Sequence, residues 1–251
     1  MTQMTRAMVL ACGLSLTASQ AALAQENTLG RWFFDVNAAV QTPGRDLQEN
    51  GTFPLYDEDM TVNGTRKVGS GLVVDGGAGM HLSRRFAVGL SYSWFSASSD
   101  VTFTASVPHP LFADRPRSAT GTVDNLNRTE HSVHLTAMWR FDLLEGVDLK
   151  VGGGPSFFYV SEEGLASATA TESGPPWETV SVSFTTATRS ANGFGFNVGG
   201  DLTYMFTERL GAGALFRYTW GSVTLPMPGG GERDSNGAGG IHLGGGLRLR
   251  F

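Results

Sequence analysis

IHLGGGLRLRF, running from Ile241 to Phe251, alternates without a break. Ile241, Leu243, Gly245, Leu247, Leu249 and Phe251 fall on one parity, His242, Gly244, Gly246, Arg248 and Arg250 on the other. Successive side chains of an extended strand point to opposite faces, so this segment has one apolar face and one that is cationic or bare. Seven segments upstream repeat the pattern. Trp32, Phe34, Val36, Ala38 and Val40 stand opposite Asp35 and Asn37, and Leu72, Val74, Ala78, Met80 and Leu82 opposite Asp75 and His81. Phe86, Val88, Leu90, Tyr92 and Trp94 oppose Arg85, Ser91 and Ser93, while Val133, Leu135, Ala137, Trp139 and Phe141 oppose His134, Thr136, Arg140 and Asp142. Val147, Leu149, Val151, Phe157 and Tyr159 oppose Asp148, Lys150 and Ser156. Phe194, Phe196, Val198, Leu202, Tyr204 and Phe206 oppose Asn197, Asp201 and Thr203, and Ala212, Ala214, Phe216, Tyr218 and Trp220 oppose Gly213, Arg217 and Thr219.

The connections follow a rule of their own. Short turns around Ser83-Arg84, Leu144-Glu145-Gly146 and Thr207-Glu208-Arg209 alternate with long joins at 41–71, 95–132, 160–192 and 221–236. Strict short–long alternation is the pattern of an outer-membrane barrel, with turns in the periplasm and loops outside the cell. The expected fold is therefore all-β: an eight-stranded antiparallel up-and-down transmembrane β-barrel with both chain ends on the periplasmic side.

Composition agrees with a barrel whose apolar face is outermost. Gly is abundant at 34 of 251 residues, charged residues are only 16 %, and Lys occurs only at Lys67 and Lys150. A soluble sandwich would carry a Lys- and Glu-rich solvent face, whereas the polar faces here hold Gly with isolated Asp, Arg and His. Such faces suit a narrow lumen. A hydrophobic share of 41 % excludes a disordered chain, and a net charge of −5 without a basic run excludes nucleic acid as a partner. Residues 1–24 have the order of a secretory signal peptide: Arg6, an apolar stretch from Ala7 to Leu16, then Ala22-Leu23-Ala24. Residues 25–251 form the barrel with its loops. The sole cysteine, Cys12, lies in the leader, so disulfides, cysteine catalysis and thiolate metal sites are not expected. No run of about 18 apolar residues follows the leader.

Aromatic residues gather at the ends of the outward faces. Trp32, Phe34, Phe86, Trp139, Phe141, Tyr204, Phe206 and Phe251 mark the turn side, and Tyr92, Trp94, Phe157, Tyr159, Tyr218 and Trp220 the loop side. From Phe86 to Trp94, about eight steps of ~3.3 Å tilted by ~40° rise about 20 Å, near the ~25 Å apolar band of outer-membrane barrels. These are the two expected lipid-interface girdles.

Phe251 at the end of the alternating Leu247 and Leu249, together with the Gly-rich strand Val151-Gly-Gly-Gly-Pro155-Ser-Phe-Phe-Tyr159, resembles the small eight-stranded outer-membrane barrels of Gram-negative bacteria, the OmpA, OmpX and OmpW-like class of the porin-like superfamily. The resemblance implies a cell outer-membrane location, with outer-membrane lipid and lipopolysaccharide as surroundings. It implies that the barrel assembly machinery reads Leu247, Leu249 and Phe251. It identifies a class of fold and not an activity.

The expected lumen charges are Asp35, Asp75, His81, Arg85, His134, Arg140, Asp142, Asp148, Lys150, Asp201, Arg217, Arg248 and Arg250, with His242 on the same face. Mixed signs confined together must pair, because an unpaired buried charge is costly. A salt-bridged plug is the first reading and a gated polar path the second. The three inward histidines sit on different strands without ligand spacing, so no metal, cofactor or catalytic residue is assigned. Lipid A deacylases of this size use a His-x-Ser dyad. His131-Ser132-Val133-His134 and Asp234-Ser235-Asn236 approach that pattern without meeting it.

In the long loops, Val101–Val107 and Glu178–Thr185 alternate like strands and end at tips rich in Pro, Pro108-His-Pro110 and Gly174-Pro-Pro-Trp177. Hairpins reaching beyond the membrane are expected, with edges open to an extracellular partner. Asp57-Glu58-Asp59 reads as a solvated charge run, with divalent-cation attraction as the alternative. The functional expectation is a non-catalytic outer-membrane protein with a structural and surface-interaction role through its loops. A narrow conduit for small or hydrophobic solutes is the alternative, and a lipid A modifying enzyme the third.

Overall fold

The alternating segments pair in chain order in the computed structural model, which describes residues 31–42, 46–226 and 232–251. Residues 1–24, expected as a signal peptide, lie outside the described residues. Eleven strands run β1 (Trp32–Thr42), β2 (Asp46–Leu55), β3 (Glu58–Lys67), β4 (Gly71–His81), β5 (Phe86–Val107), β6 (Arg117–Leu144), β7 (Val147–Glu172), β8 (Val180–Met205), β9 (Leu210–Pro226), β10 (Glu232–Ala238) and β11 (Ile241–Arg250). Eight of them close a ring, β1-β4-β5-β6-β7-β8-β9-β11 and back to β1, with every neighbouring pair antiparallel. Closure is made by Phe33 opposite Arg250 through to Thr42 opposite Ile241, and the ring leaves no free edge along its spanning part.

Parity is the expected one. In β1 the residues Phe33, Asn37, Ala39 and Gln41 are buried while Trp32, Phe34, Val36 and Val40 are exposed, and in β11 His242, Arg248 and Arg250 are buried while Leu243 and Leu247 are exposed. Glycine on the inward face lets backbones approach. A Cβ on Gly246 would collide with the carbonyl oxygen of Val36, across the seam that closes the ring.

Strand lengths depart from the expected span of the membrane. β6, β7 and β8 contain 28, 26 and 26 residues. At ~3.3 Å per residue and ~40° tilt, 26 residues reach about 65 Å, well beyond the ~25 Å band. The surplus stands on the loop side, where the β5–β6 ladder runs on to Val107 opposite Arg117 and the β7–β8 ladder to Glu172 opposite Val180. Residues 46–67, expected as loop, form the β2–β3 hairpin, which adds to β5 through Thr61–Arg66. The β6–β7 ladder ends at Arg128 opposite Glu162, so above this level two sheets part: β2-β3-β5-β6 and the β7–β8 hairpin.

The largest hydrophobic core lies between those sheets; two smaller buried apolar clusters, one of Ala39, Val73 and Phe95 and one of Phe158, Val160, Val223 and Ala238, sit on strands toward the loop-side end of the ring. Met60, Val62, Phe103, Ala105, Val107 and Ala119 meet Leu165 and Val180, with Phe53, Val182 and Phe184 against them. The rings of Phe103 and Phe184 meet edge to face at 4.6 Å between centroids. The loops thus fold into a small two-sheet head with its own dry core, mounted on a barrel whose interior is polar.

Candidate functional site

Inward side chains stack in layers along the barrel axis. At the turn-side mouth, Arg140 Nη2 lies 2.7 Å from Asp142 Oδ1 and its Nε 3.7 Å from Asp148 Oδ1, while Arg250 pairs with the other oxygen of Asp148. One layer deeper, Asp201 accepts from Arg248 Nε at 3.0 Å, receives the Thr203 hydroxyl at 2.7 Å and faces Lys150 Nζ at 3.7 Å. Lys150 also stands 4.3 Å over the ring of Phe33, an inward aromatic that binds the cation through its π face. Asp35 lines the space beside them.

The middle layer is built on Asp75. Its carboxylate accepts from Asn37 Nδ2 at 3.0 Å, Ser93 Oγ at 2.7 Å and Arg217 Nη1 at 2.6 Å, so a fully buried charge is met by three donors from three other strands. His134 and His242 are buried at the same level, His134 Nδ1 at 2.8 Å from Ser156 Oγ and His242 Nε2 at 3.4 Å from Thr219 Oγ1. His81 packs its ring against Phe33 at 5.1 Å. Two expected lumen charges lie elsewhere. Arg85 is exposed in the β4–β5 turn, and the Asp142 side chain is 68 % exposed at the rim. Arg85 lies outside any strand, and Asp142 lies near the end of β6, where the β6–β7 register shifts between Asp142 and Leu144.

Above the ring, charges continue on the same parity. Arg128 donates to Glu130 at 2.7 Å and Glu162 at 2.5 Å, and Glu130 accepts the backbone N–H of Gly239 at 2.9 Å. Arg66, fully buried, donates to Ser99 Oγ at 2.7 Å and to the carbonyls of Glu163 and Leu126. Sequence reasoning missed these groups. Extending the period of two from His134 back through Ser132 to Glu130 and Arg128, and from Ser156 on to Glu162, places those three charges inside, whereas Arg66 stands on β3, within a segment expected as loop.

At the far end, Arg117 grips both Glu172 oxygens, one at 2.7 Å, and donates to the carbonyls of Pro108 and Trp177 at 2.6 Å each. The Tyr56 hydroxyl donates to Glu172 at 3.1 Å. The Arg117 hydrogen bonds hold the Glu172 carboxyl below the usual carboxylate range, and the same contact raises Arg117.

Among the described residues the lumen opens on the turn side. A vestibule of about 1160 Å³ enters from the turn side and reaches Arg140, Asp148 and Arg250. Beyond the next layer is a cavity of about 60 Å³ among Phe33, Asp35, Ser91, Lys150 and Asp201, room for a few waters. Asp75–Arg217, the Arg128 cluster and the apolar head close the way above it.

No group of three potential metal ligands occurs among the described residues. His131 and Ser132 point to opposite faces: His131 meets the Tyr92 hydroxyl at 2.6 Å on the outside, while Ser132 is buried within. They cannot act on one another. The side chains of Asp234–Asn236 lie outside the described part. Ser156 and His134 have the spacing of a nucleophile and its base, but both are sealed in the middle layer and Ser156 Oγ is held by Asn197 Nδ2 at 3.0 Å.

On the outer face, the turn-side aromatics Trp32, Phe34, Trp139, Phe141, Tyr204, Phe206 and Phe251 are exposed, as are Tyr92, Trp94, Phe157, Tyr159 and Trp220 toward the loops. Phe86 and Tyr218 are half-buried. Between the two sets the exposed positions are Val36, Leu90, Leu135, Val198 and Leu243. A surface so apolar around a charged interior is built for lipid.

Residues 8–251 match the outer membrane protein beta-barrel domain family. The chain belongs to that family. It resides in the outer membrane of a Gram-negative bacterium. Among solved structures it is similar to the outer membrane protein OprG from Pseudomonas aeruginosa, with a TM-score of 0.52 at 11 % identity over 89 % of this chain and 97 % of that one. The Neisserial surface protein A (NspA) aligns at a TM-score of 0.44 and 14 % identity, covering 88 % and 97 % of the two chains. The E. coli outer membrane protein W aligns at a TM-score of 0.34 and 12 % identity, covering 90 % and 100 %. No curated protein sequence matches the chain. For this member of the family, the fold is set by its relatives and the working part must be sought in its own side chains.

Proposed function

We propose that the protein is a non-catalytic outer-membrane anchor that holds a folded extracellular head at the cell surface, with a structural and surface-interaction role. The observation that carries this reading is the closure of the extracellular end by charge layers and by a dry apolar core. A wide pore leaves its axis wet from end to end, whereas here paired side chains such as Asp75–Arg217 and Arg128–Glu162 stand across the axis above the vestibule. The two aromatic sets serve as girdles toward lipid and lipopolysaccharide, and Leu247, Leu249 and Phe251 as the signal to the assembly machinery.

The periplasmic vestibule favours a second reading, a conduit for small or hydrophobic solutes, since it opens the turn-side mouth as far as Arg140, Asp148 and Arg250. Passage would require the Asp75–Arg217 pair and the head to separate together. Planar-bilayer recording of the purified protein across a range of salts and voltages decides between the two. The anchor reading expects no unitary current steps, and reproducible steps would overturn it in favour of the conduit.

A further inference from the structure

Three loop tips that are far apart in sequence are fastened to one another at the cell-distal end. Arg117 joins Pro108, Glu172 and Trp177, the Tyr56 hydroxyl joins Glu172 to the β2–β3 tip, and Arg115 reaches Glu178 at 3.5 Å while standing 5.6 Å over the ring of Phe112. The tips are thereby one surface, ordered before any partner arrives. Preorganisation of this kind lowers the entropic cost of binding.

Large apolar side chains lie open on that surface. Leu111 is 61 % exposed, Phe112 52 % and Tyr56 45 %, beside exposed Pro175 and Pro176. Lipid does not explain them. From Trp94 in the loop-side girdle to Val107 is about 13 steps along β5, about 33 Å of height at ~3.3 Å per step and ~40° tilt. An apolar patch outside both core and membrane marks a contact with another macromolecule.

The surrounding charge says which kind. Asp57, Asp59, Asp114 and Glu178 are exposed around the patch and Glu58 is half-buried, while Arg115, the exposed cation among them, is already engaged by Glu178. Lipopolysaccharide phosphates and a second copy of the same acidic tip would both be repelled. Electrostatic complementarity selects a positively charged partner.

We propose that this tip docks a cationic polypeptide that seats apolar or aromatic side chains against Leu111 and Phe112, with its Lys or Arg side chains against Asp57, Glu58, Asp59 and Asp114. The proposal rests on the reading of the head as the working part of the molecule. The acidic residues steer and register the partner, and the Leu111–Phe112 pair supplies the desolvated anchor.

The test uses the full-length protein in zwitterionic nanodiscs and a synthetic hexapeptide of alternating lysine and tryptophan. Glutamate–tryptophan and serine–tryptophan hexapeptides and empty nanodiscs are the controls. Two variants are compared, Leu111→Ser with Phe112→Ser, and Asp57→Asn with Glu58→Gln and Asp59→Asn, each checked for the folded heat-shifted gel band. The expected result is saturable binding of the lysine peptide alone, weakened at least tenfold by the first variant. The second variant is expected to weaken it and flatten its salt dependence. Binding that ignores both variants, equal binding of a control peptide, or no binding above empty nanodiscs overturns the proposal. Current steps in a bilayer would instead overturn the underlying anchor reading, so the two failures are distinguishable.

Discussion

Arg217 and Asp75 form the pair on which the middle of the lumen depends, because Asp75 is fully buried and Arg217 is its one cationic hydrogen-bond donor beside Ser93 and Asn37. Removing one member of a buried pair strands the other charge, at a cost of about 3–5 kcal/mol. Arg217→Met is expected to lower the unfolding free energy measured by urea titration in lipid vesicles by an amount of that order, with a matching drop in midpoint, and adding Asp75→Asn to restore most of it. Equal midpoints for the single variant and the native protein would count against the pairing. Glu172 makes the opposite kind of point, outside the membrane. Its carboxyl is depressed in the folded protein, chiefly by Arg117, so its contribution is present above the ordinary carboxylate range and is lost as pH falls through the folded value. As pH falls from neutral through the folded value, amide exchange at residues 173–179, taken relative to the intrinsic rate at each pH, is expected to accelerate while the β7–β8 ladder below stays protected. Uniform acceleration along both strands would show that the clamp is not what holds the tip.

At the scale of elements, the eight ring strands could be read because one face of each is continuously apolar, and a face toward lipid permits nothing else. The same logic located Val101–Val107 and the outer part of the third hairpin. It failed for β2 and β3, whose inward faces mix Leu47, Glu49, Gly51 and Phe53, then Met60, Val62, Gly64 and Arg66. Asn50-Gly51, Pro54 and Asn63-Gly64 also carry the chemistry of turns. Neither strand faces lipid, so neither needs a pure pattern; both are specified by the core they complete with Phe103 and Phe184. Residues 46–67 are then expected to be separable from the barrel. Replacing them with a short Gly-Ser linker should leave the folded heat-shifted band intact while exposing 103–123 and 165–188 to protease. Loss of the folded band would mean that the head is required for ring closure. The lumen list was legible for a similar reason. Parity alone found Asp75, Lys150, Asp201, Arg217 and Arg248, whereas Arg85 and Asp142 fell where strands end and parity stops deciding. Partners such as Asn37 and Ser93 were not legible, because pairing depends on register and shear around the ring.

The whole molecule comprises an apolar belt facing lipid, a mainly polar lumen, a vestibule on the turn side and a head with its own core. The energetic roles are unlike those of a soluble domain. Apolar burial concentrates in the head, while the ring is held by closed backbone ladders and by lipid around it. The most direct test of this division is to place nitroxide labels singly from residue 133 to 141 of β6 in lipid vesicles and measure their accessibility to oxygen, which partitions into the bilayer, and to a water-soluble nickel complex. Strict alternation is expected, with high oxygen accessibility at 133, 135, 137, 139 and 141, protection from both reagents at 134, 136 and 138, and nickel accessibility among the inward positions only at 140, which lines the vestibule. Equal accessibility at neighbouring positions, or high nickel accessibility at 135 and 137, would contradict it.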